Sequence, residues 1–228
     1  MSPIRLAGMV LGRLIFLTAA DVVALAAGNG GRHGTEEVPF LARPVGAVYL
    51  VLWTVWWAVT FLGRRSGVRS AEDRGQRWLV LLLGVVLVPT LVFLPPWEYA
   101  HLPGPIPRDG AVAWVGLALF AAGITMQAWA MWTLRGFFTV RLGLQPGHRL
   151  VTGGPYRFVR HPGYASYILS LTGIGLAMGS IGGLAVAATA TLFIVSHLKV
   201  EETMLTAAFG DDYRRYAAGR ARLFPGIY

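Results

Sequence analysis

The chain has 228 residues, 55% of them hydrophobic and only 14% charged, with a mean hydropathy of +0.55. That composition excludes an ordinary soluble domain and leaves room for several spans of about 20 residues each. The net charge of +9, from 20 Lys+Arg against 11 Asp+Glu, is scattered between apolar runs, which fits loops facing anionic lipid and not a nucleic-acid surface. Cysteine is absent, which excludes disulfides, thiolate metal sites and cysteine nucleophiles.

In chain order, Ile4 to Ala27 is the first apolar run, read as an uncleaved span; Gly8 and Gly12 make one small-xxx-small pair in it. A polar loop from Gly28 to Arg43 follows. Val45 to Leu62 is the second span and carries Trp53, Trp56 and Trp57, either an interface belt or packing. Arg64, Arg65, Arg69, Arg74 and Arg77, against only Glu72 and Asp73, form the strongest topogenic signal. Trp78 to Phe93 is the third span, closed by Pro95-Pro96-Trp97, and a nearly neutral loop runs from Glu98 to Asp109. Ala111 to Leu134 is the fourth span.

Arg135 to Pro162 is a central loop. Gly163 to Met178 and Leu184 to His197 then read as a helical hairpin, turned at Gly179-Ser180-Ile181-Gly182-Gly183. From Lys199 the chain reads as a helix leaving the membrane, broken at Gly210, then a short polar helix. The expected fold is all-α: a polytopic membrane bundle of about six spans, plus a cytoplasmic C-terminal helix. The positive-inside rule puts the N-terminus, the Arg64–Arg77 loop, the central loop and the C-terminus in the cytoplasm. Residues 1–110 are read as lipid- and substrate-facing spans and 111–228 as the chemical core.

The stretch from Gly147 to Tyr164 holds two of the five histidines, three arginines, two prolines and four glycines. Pro162 suits the first turn of a helix, with His161 at its cap. The N–H groups of Gly163, Tyr164 and Ala165 then point back into the loop and favour an anion, with Arg157 and Arg160 adding positive charge. The bland alternative is that the arginines are topological anchors and His-Pro a turn. A second constellation is His197 with Glu201, one turn apart on a helix face, beside Lys199 and Glu202; here the plain alternative is a span ending in water. No His-x-x-His or Glu-x-x-His pair occurs, so His148, His161, His197, Glu201 and Glu202 are not expected to hold a metal.

Four segments carry a resemblance. They are His148-Arg149-Leu150-Val151-Thr152-Gly153-Gly154-Pro155-Tyr156; Arg160-His161-Pro162-Gly163-Tyr164; Glu201-Glu202; and Phe209-Gly210-Asp211-Asp212-Tyr213-Arg214-Arg215-Tyr216. In this order and spacing the chain from Leu134 onward resembles the isoprenylcysteine carboxyl methyltransferase family of integral membrane enzymes. The resemblance implies S-adenosylmethionine as methyl donor on the cytoplasmic side, bordered by His148, Leu150, Val151, Tyr156, His161, Pro162, Gly163, Tyr164 and Glu201. Gln145 matches a cofactor-contacting glutamine only loosely, across a shorter loop. The helix start with Arg160 suits the donor's carboxylate, Glu201 its ammonium or ribose hydroxyls, and the tyrosines with Leu150-Val151 its adenine.

The family often has an arginine four residues before the first glutamate, where this chain has His197. His197, Glu202 and Arg157 are therefore the candidate catalytic residues. The acceptor is expected to be lipophilic and other than a prenylcysteine carboxylate, reached from the membrane lipids. Two rivals share these features: a membrane reductase of related fold using a nicotinamide cofactor, and a non-enzymatic membrane protein.

Overall fold

Long apolar runs with no polar alternation form helices here, because a helix satisfies its own backbone where no water can. The computed structural model of the chain describes residue 19 and residues 43–63, 87–102, 104–108, 110–134 and 150–227. Among these the elements are α1 (Pro44–Gly63), α2 (Val88–His101), α3 (Gly110–Leu134), a 3-10 turn (Gly154–Arg157), α4 (Pro162–Ala177), α5 (Ile181–Phe209) and α6 (Asp211–Ala218). Helices α3 and α5 are long and apolar enough to cross a membrane; α1 contains a shorter apolar stretch. The expected first span, the Arg64–Arg77 cluster, the start of the third span, Gln145 and His148 lie outside the described residues.

The expected second and fourth spans match α1 and α3 to within a residue at each end, and the break at Gly210 is present, with φ at +56°. Three boundaries differ. Helix α2 does not close at Pro95-Pro96-Trp97 but runs through both prolines to His101. Each proline removes one N–H from the helix, yet both are buried, as are Leu91 and Val92 one turn earlier, and that burial keeps the helix going. The hairpin turn is shorter than read, since α5 already begins at Ile181. Its start is fixed by Ser180, whose Oγ accepts the Gly183 N–H at 2.7 Å. Finally, α5 does not end near His197; it continues unbroken to Phe209 and carries His197, Glu201 and Glu202 on one helix.

Helix α3 lies between α1 and α4; α4 and α5 form the hairpin, and α2 packs on α5. The α3–α4 contact is built from small residues. A Cβ on Gly173 would come 2.5 Å from the Phe120 nitrogen and 2.6 Å from the Gly116 carbonyl oxygen; one on Gly123 would meet Ser166 and Ser170. Ser166, Ser170, Gly173 and Ala177 recur at helical spacing along that face, so the two backbones nearly touch. On the other side of α3, Tyr49, Trp53, Trp56 and Trp57 of α1 are all buried. The tryptophans are therefore packing, not a belt; Trp53 meets Trp57 edge-on at 5.7 Å and Trp56 meets Phe120 edge-on at 5.8 Å. Gln127 of α3 is fully buried among them and donates to Thr60 Oγ1 at 3.2 Å and the Tyr167 hydroxyl at 3.4 Å.

One end of the bundle is closed by two charged side chains. Glu98, in the last turn of α2, accepts from Ser180 Oγ at 2.5 Å and from the Gly182 N–H at 3.0 Å, capping α5 from outside its own sequence. Arg108 donates to the carbonyls of Tyr99 at 2.6 Å, Glu98 at 3.0 Å and Leu102, which collects the free carbonyl end of α2. The loop before α4 gathers at the opposite end of the hairpin, twenty residues along α5 from Gly182 to Glu202, or about 30 Å at ~1.5 Å per residue.

Candidate active site

The site grows from the segment between α3 and α4. Gly154 has φ at +58°, which favours glycine, and any Cβ there would strike the Thr133 side chain at the end of α3. This seats the 3-10 turn against α3. The chain then pairs with a segment sixty residues later. Val159 and Ala221 form a parallel bridge, Arg160 N–H donates to the Ala221 carbonyl at 2.9 Å, and His161 N–H donates to the Arg222 carbonyl at 3.0 Å. Tyr216 O–H donates to the Tyr156 carbonyl at 2.9 Å and Arg220 Nε to the Arg157 carbonyl at 3.1 Å. The Arg220 guanidinium lies over the Tyr216 ring at 4.6 Å. Leu223 is buried against Ala165, Ile194 and Leu198, which anchors this segment to the hairpin.

His161 is the cap residue of α4 and Pro162 its first helical residue. The Ala165 N–H is not free, as the sequence reading held, but donates to the His161 carbonyl at 3.1 Å. It makes the first helical hydrogen bond. Proline has no N–H, so Gly163 and Tyr164 supply the first-turn donors that lack helical partners.

The His161 side chain is only 4% exposed and sits between two carboxylates of α5. Its Nδ1 is 3.7 Å from Glu201 Oε1 and its Nε2 is 3.4 Å from Glu202 Oε1, ion-pair distances without close hydrogen bonds. Burial alone would lower the imidazole pKa; the two carboxylates outweigh it and raise it above the usual 6.5. Burial, reinforced by the charge on Glu201, also raises the Tyr156 phenol, which therefore stays a protonated donor. Burial pushes Tyr216 up to about 12 against the opposing pull of Arg220 and Arg160.

The two glutamates have different partners. Glu202 Oε1 takes Arg160 Nη1 at 2.8 Å and its Oε2 takes Arg222 Nε at 3.1 Å. Arg160 Nε is spent on the Arg220 carbonyl at 2.8 Å. Glu201 Oε2 is buried and has no hydrogen-bond partner among the described residues. The ring of Tyr164 lies 6.0 Å from that of His161. Leu150 and Val151 are half-buried, and Pro162 is buried. One turn before Glu201, His197 stacks on Phe193 with centroids 4.4 Å apart, and its Nδ1 is buried with no hydrogen-bond partner among the described residues.

The fold thus brings together Tyr156, Arg160, His161, Pro162, Gly163, Tyr164, Glu201 and Glu202. Arg157 is exposed, and its carbonyl serves Arg220. Tyr213, Arg220 and Arg222 were not picked out in the sequence as site residues. The signal available for them was the Arg220-Ala221-Arg222 alternation just past the tyrosine motif. Among the described residues no group of three metal-ligating side chains is present.

A family model described as phospholipid methyltransferase matches residues 111–212. A probable protein-S-isoprenylcysteine O-methyltransferase of Oryza sativa subsp. indica is 29% identical over 163 residues, 70% of this chain and 82% of that one. Methanethiol S-methyltransferase 1 of Bradyrhizobium diazoefficiens is 36% identical over 70 residues, 31% of this chain and 24% of that one. Among solved structures, the eukaryotic intramembrane Ras methyltransferase (isoprenylcysteine carboxyl methyltransferase) has a similar fold. Its TM-score is 0.57 at 17% identity, over 93% of this chain and 74% of that one.

Proposed function

We propose that this chain, similar in sequence and fold to isoprenylcysteine carboxyl methyltransferases, is a membrane methyltransferase that moves a methyl group from S-adenosylmethionine to a small lipophilic acceptor at the His161–Glu201 site. The observation that supports the placement is Glu201 Oε2, a buried carboxylate oxygen with no hydrogen-bond partner among the described residues, beside a helix start. An unpaired buried acceptor is costly unless a ligand completes it. The donor's ammonium or ribose hydroxyls suit it, and the free N–H groups of Gly163 and Tyr164 suit the donor's carboxylate. Tyr156, Tyr164, Leu150 and Val151 offer surfaces for the adenine, and the family resemblance implies His148, and Gln145 only loosely, as further neighbours of the donor.

The donor, when bound, supplies an electrophilic methyl on a sulfonium, with a neutral thioether as leaving group. No metal is needed for that. The residues bind, orient and keep water out. Glu202 and Arg160, already paired to each other, brace the site. His197 replaces the arginine that often precedes the first glutamate in the family. Its unpaired Nδ1 can take a proton from an acceptor such as a thiol, which a guanidinium cannot. The relative named for methanethiol favours that class of acceptor. We read residues 111–228 as the donor core and 1–110 as the lipid- and acceptor-facing part, a division supported by the family match at 111–212. We read the site as cytoplasmic in a multi-pass protein, on the strength of the Arg64–Arg77 cluster.

Purified protein is expected to bind S-adenosylmethionine. Glu201→Gln should weaken that binding at least about tenfold, the scale of one charge-assisted hydrogen bond. Parent protein with no affinity for the donor overturns the reading. Assays with farnesylcysteine beside lipophilic thiols, phenols and amines then decide the acceptor; efficient turnover of farnesylcysteine alone overturns the role given to His197.

A further inference from the structure

Glu201 and Glu202 are adjacent on α5, yet among the described residues only Glu202 is gripped by arginine. Its two oxygens are held separately, one by Arg160 from the loop before α4 and the other by Arg222 from the segment after α6. The same segment aligns that loop through the Arg160 and His161 backbone N–H groups, so Arg222 arrives at Glu202 on a backbone already fixed to His161. The Glu202 side chain is 13% exposed, so two guanidinium partners act there with little competition from water.

We propose that Arg222 is a positioning residue of the methyl-donor site: by holding Glu202 Oε2 it keeps that carboxylate on Arg160 and away from a closer pairing with His161, and leaves Glu201 as the carboxylate that meets the donor's cation. The proposal rests on the reading that S-adenosylmethionine binds at Glu201 and His161. Without Arg222, Glu202 keeps one oxygen on Arg160 and turns the other toward His161 Nε2, already 3.4 Å from its Oε1. His161 is then drawn toward Glu202, and the pocket around Glu201 loses one wall. The other groups shown against His161 are Glu201 on α5 and the ring of Tyr164 on α4; the phenols of Tyr156 in the 3-10 turn and Tyr213 on α6 feel the glutamates, Tyr156 only Glu201 and Tyr213 both, and Tyr213 also feels Arg160.

The test uses the full chain in detergent, with S-adenosylmethionine affinity by calorimetry and the His161 titration by NMR of histidine-labelled protein. Arg222→Gln is expected to bind the donor about tenfold more weakly, and its His161 midpoint should move up, because a cation has left and Glu202 has come closer. Arg222→Lys should recover part of the affinity. In a Glu202→Gln background the same change should cost nothing more, since the partner it acts through is gone. Donor affinity equal to the parent's in Arg222→Gln, or a loss that adds in full to that of Glu202→Gln, overturns the proposal. If Arg222→Gln does not fold, Arg222→Lys in the two backgrounds completes the same cycle. Parent binding that is lost in Glu201→Gln but kept in Arg222→Gln removes this role alone; a parent that does not bind the donor removes the reading beneath it.

Discussion

At the level of single residues, His161 decides the electrostatics of the site. A histidine this buried would ordinarily be neutral, but two carboxylates hold its proton. Its pKa is raised, so the protonated form is favoured in the folded protein. The stability this adds is complete below the unfolded value of about 6.5 and is lost as pH rises through the higher folded value. NMR titration of donor-free protein should therefore give His161 a midpoint above 6.5, and Glu202→Gln should bring it down. A midpoint at or below 6.5 in the parent would mean that burial has won over the carboxylates. The sequence singled out His161 and Glu201, which the fold brings to 3.7 Å, because His-Pro at a helix start and a glutamate pair at the end of an apolar run are both local patterns. It could not disclose that Glu202, not Glu201, takes the arginines. Arg160 and Arg222 lie far from Glu202 in sequence, and they reach it only after the backbone of residues 159–161 has paired with 221–222.

At the level of elements, the α3–α4 contact depends on the absence of side chains. A Cβ at Gly173 meets the backbone of Phe120 and Gly116, which cannot step aside as a flexible side chain can. Gly173→Ala should destabilise the protein by about 1–3 kcal/mol through overpacking, seen as a lower Tm in detergent. Gly219→Ala, where a Cβ meets nothing within 4 Å, is the control and should melt like the parent. Equal melting of the two variants would show that the helices can part without cost. Helix positions were legible, since apolar runs and glycine breaks mark them, but the helix ends were less so. Pro95 and Pro96 are stop signals in the chain, and burial in the bundle overrides them. The end of α5 at Gly210 was legible; its continuity past His197 was hidden by the change from apolar to charged residues, which alters its surroundings and not its backbone.

For the whole molecule, the distance along α5 between Gly182 and Glu202 matches the hydrocarbon thickness of a bilayer, about 30 Å in each case. On the proposed topology the two polar ends belong to opposite faces of the membrane, with the Glu202 end on the cytoplasmic side. A chain without cysteine makes this easy to check. Cysteine placed at exposed Asp211 should react with an impermeant maleimide only from the cytoplasmic side, and cysteine at exposed Pro105 only from the other. Labelling of both from one side would refute the arrangement. The cap that Glu98 places on α5 also bears on modularity. The stretch shared with the family model begins at residue 111, yet α5 within it is capped by a residue that precedes that stretch. A chimera joining the front of one relative to the family-matched half of another therefore has to transplant Glu98 and Arg108 together with Ser180. A swap made at residue 111 alone would sever that lock and leave the first turn of α5 to find a new acceptor inside the bilayer's far edge.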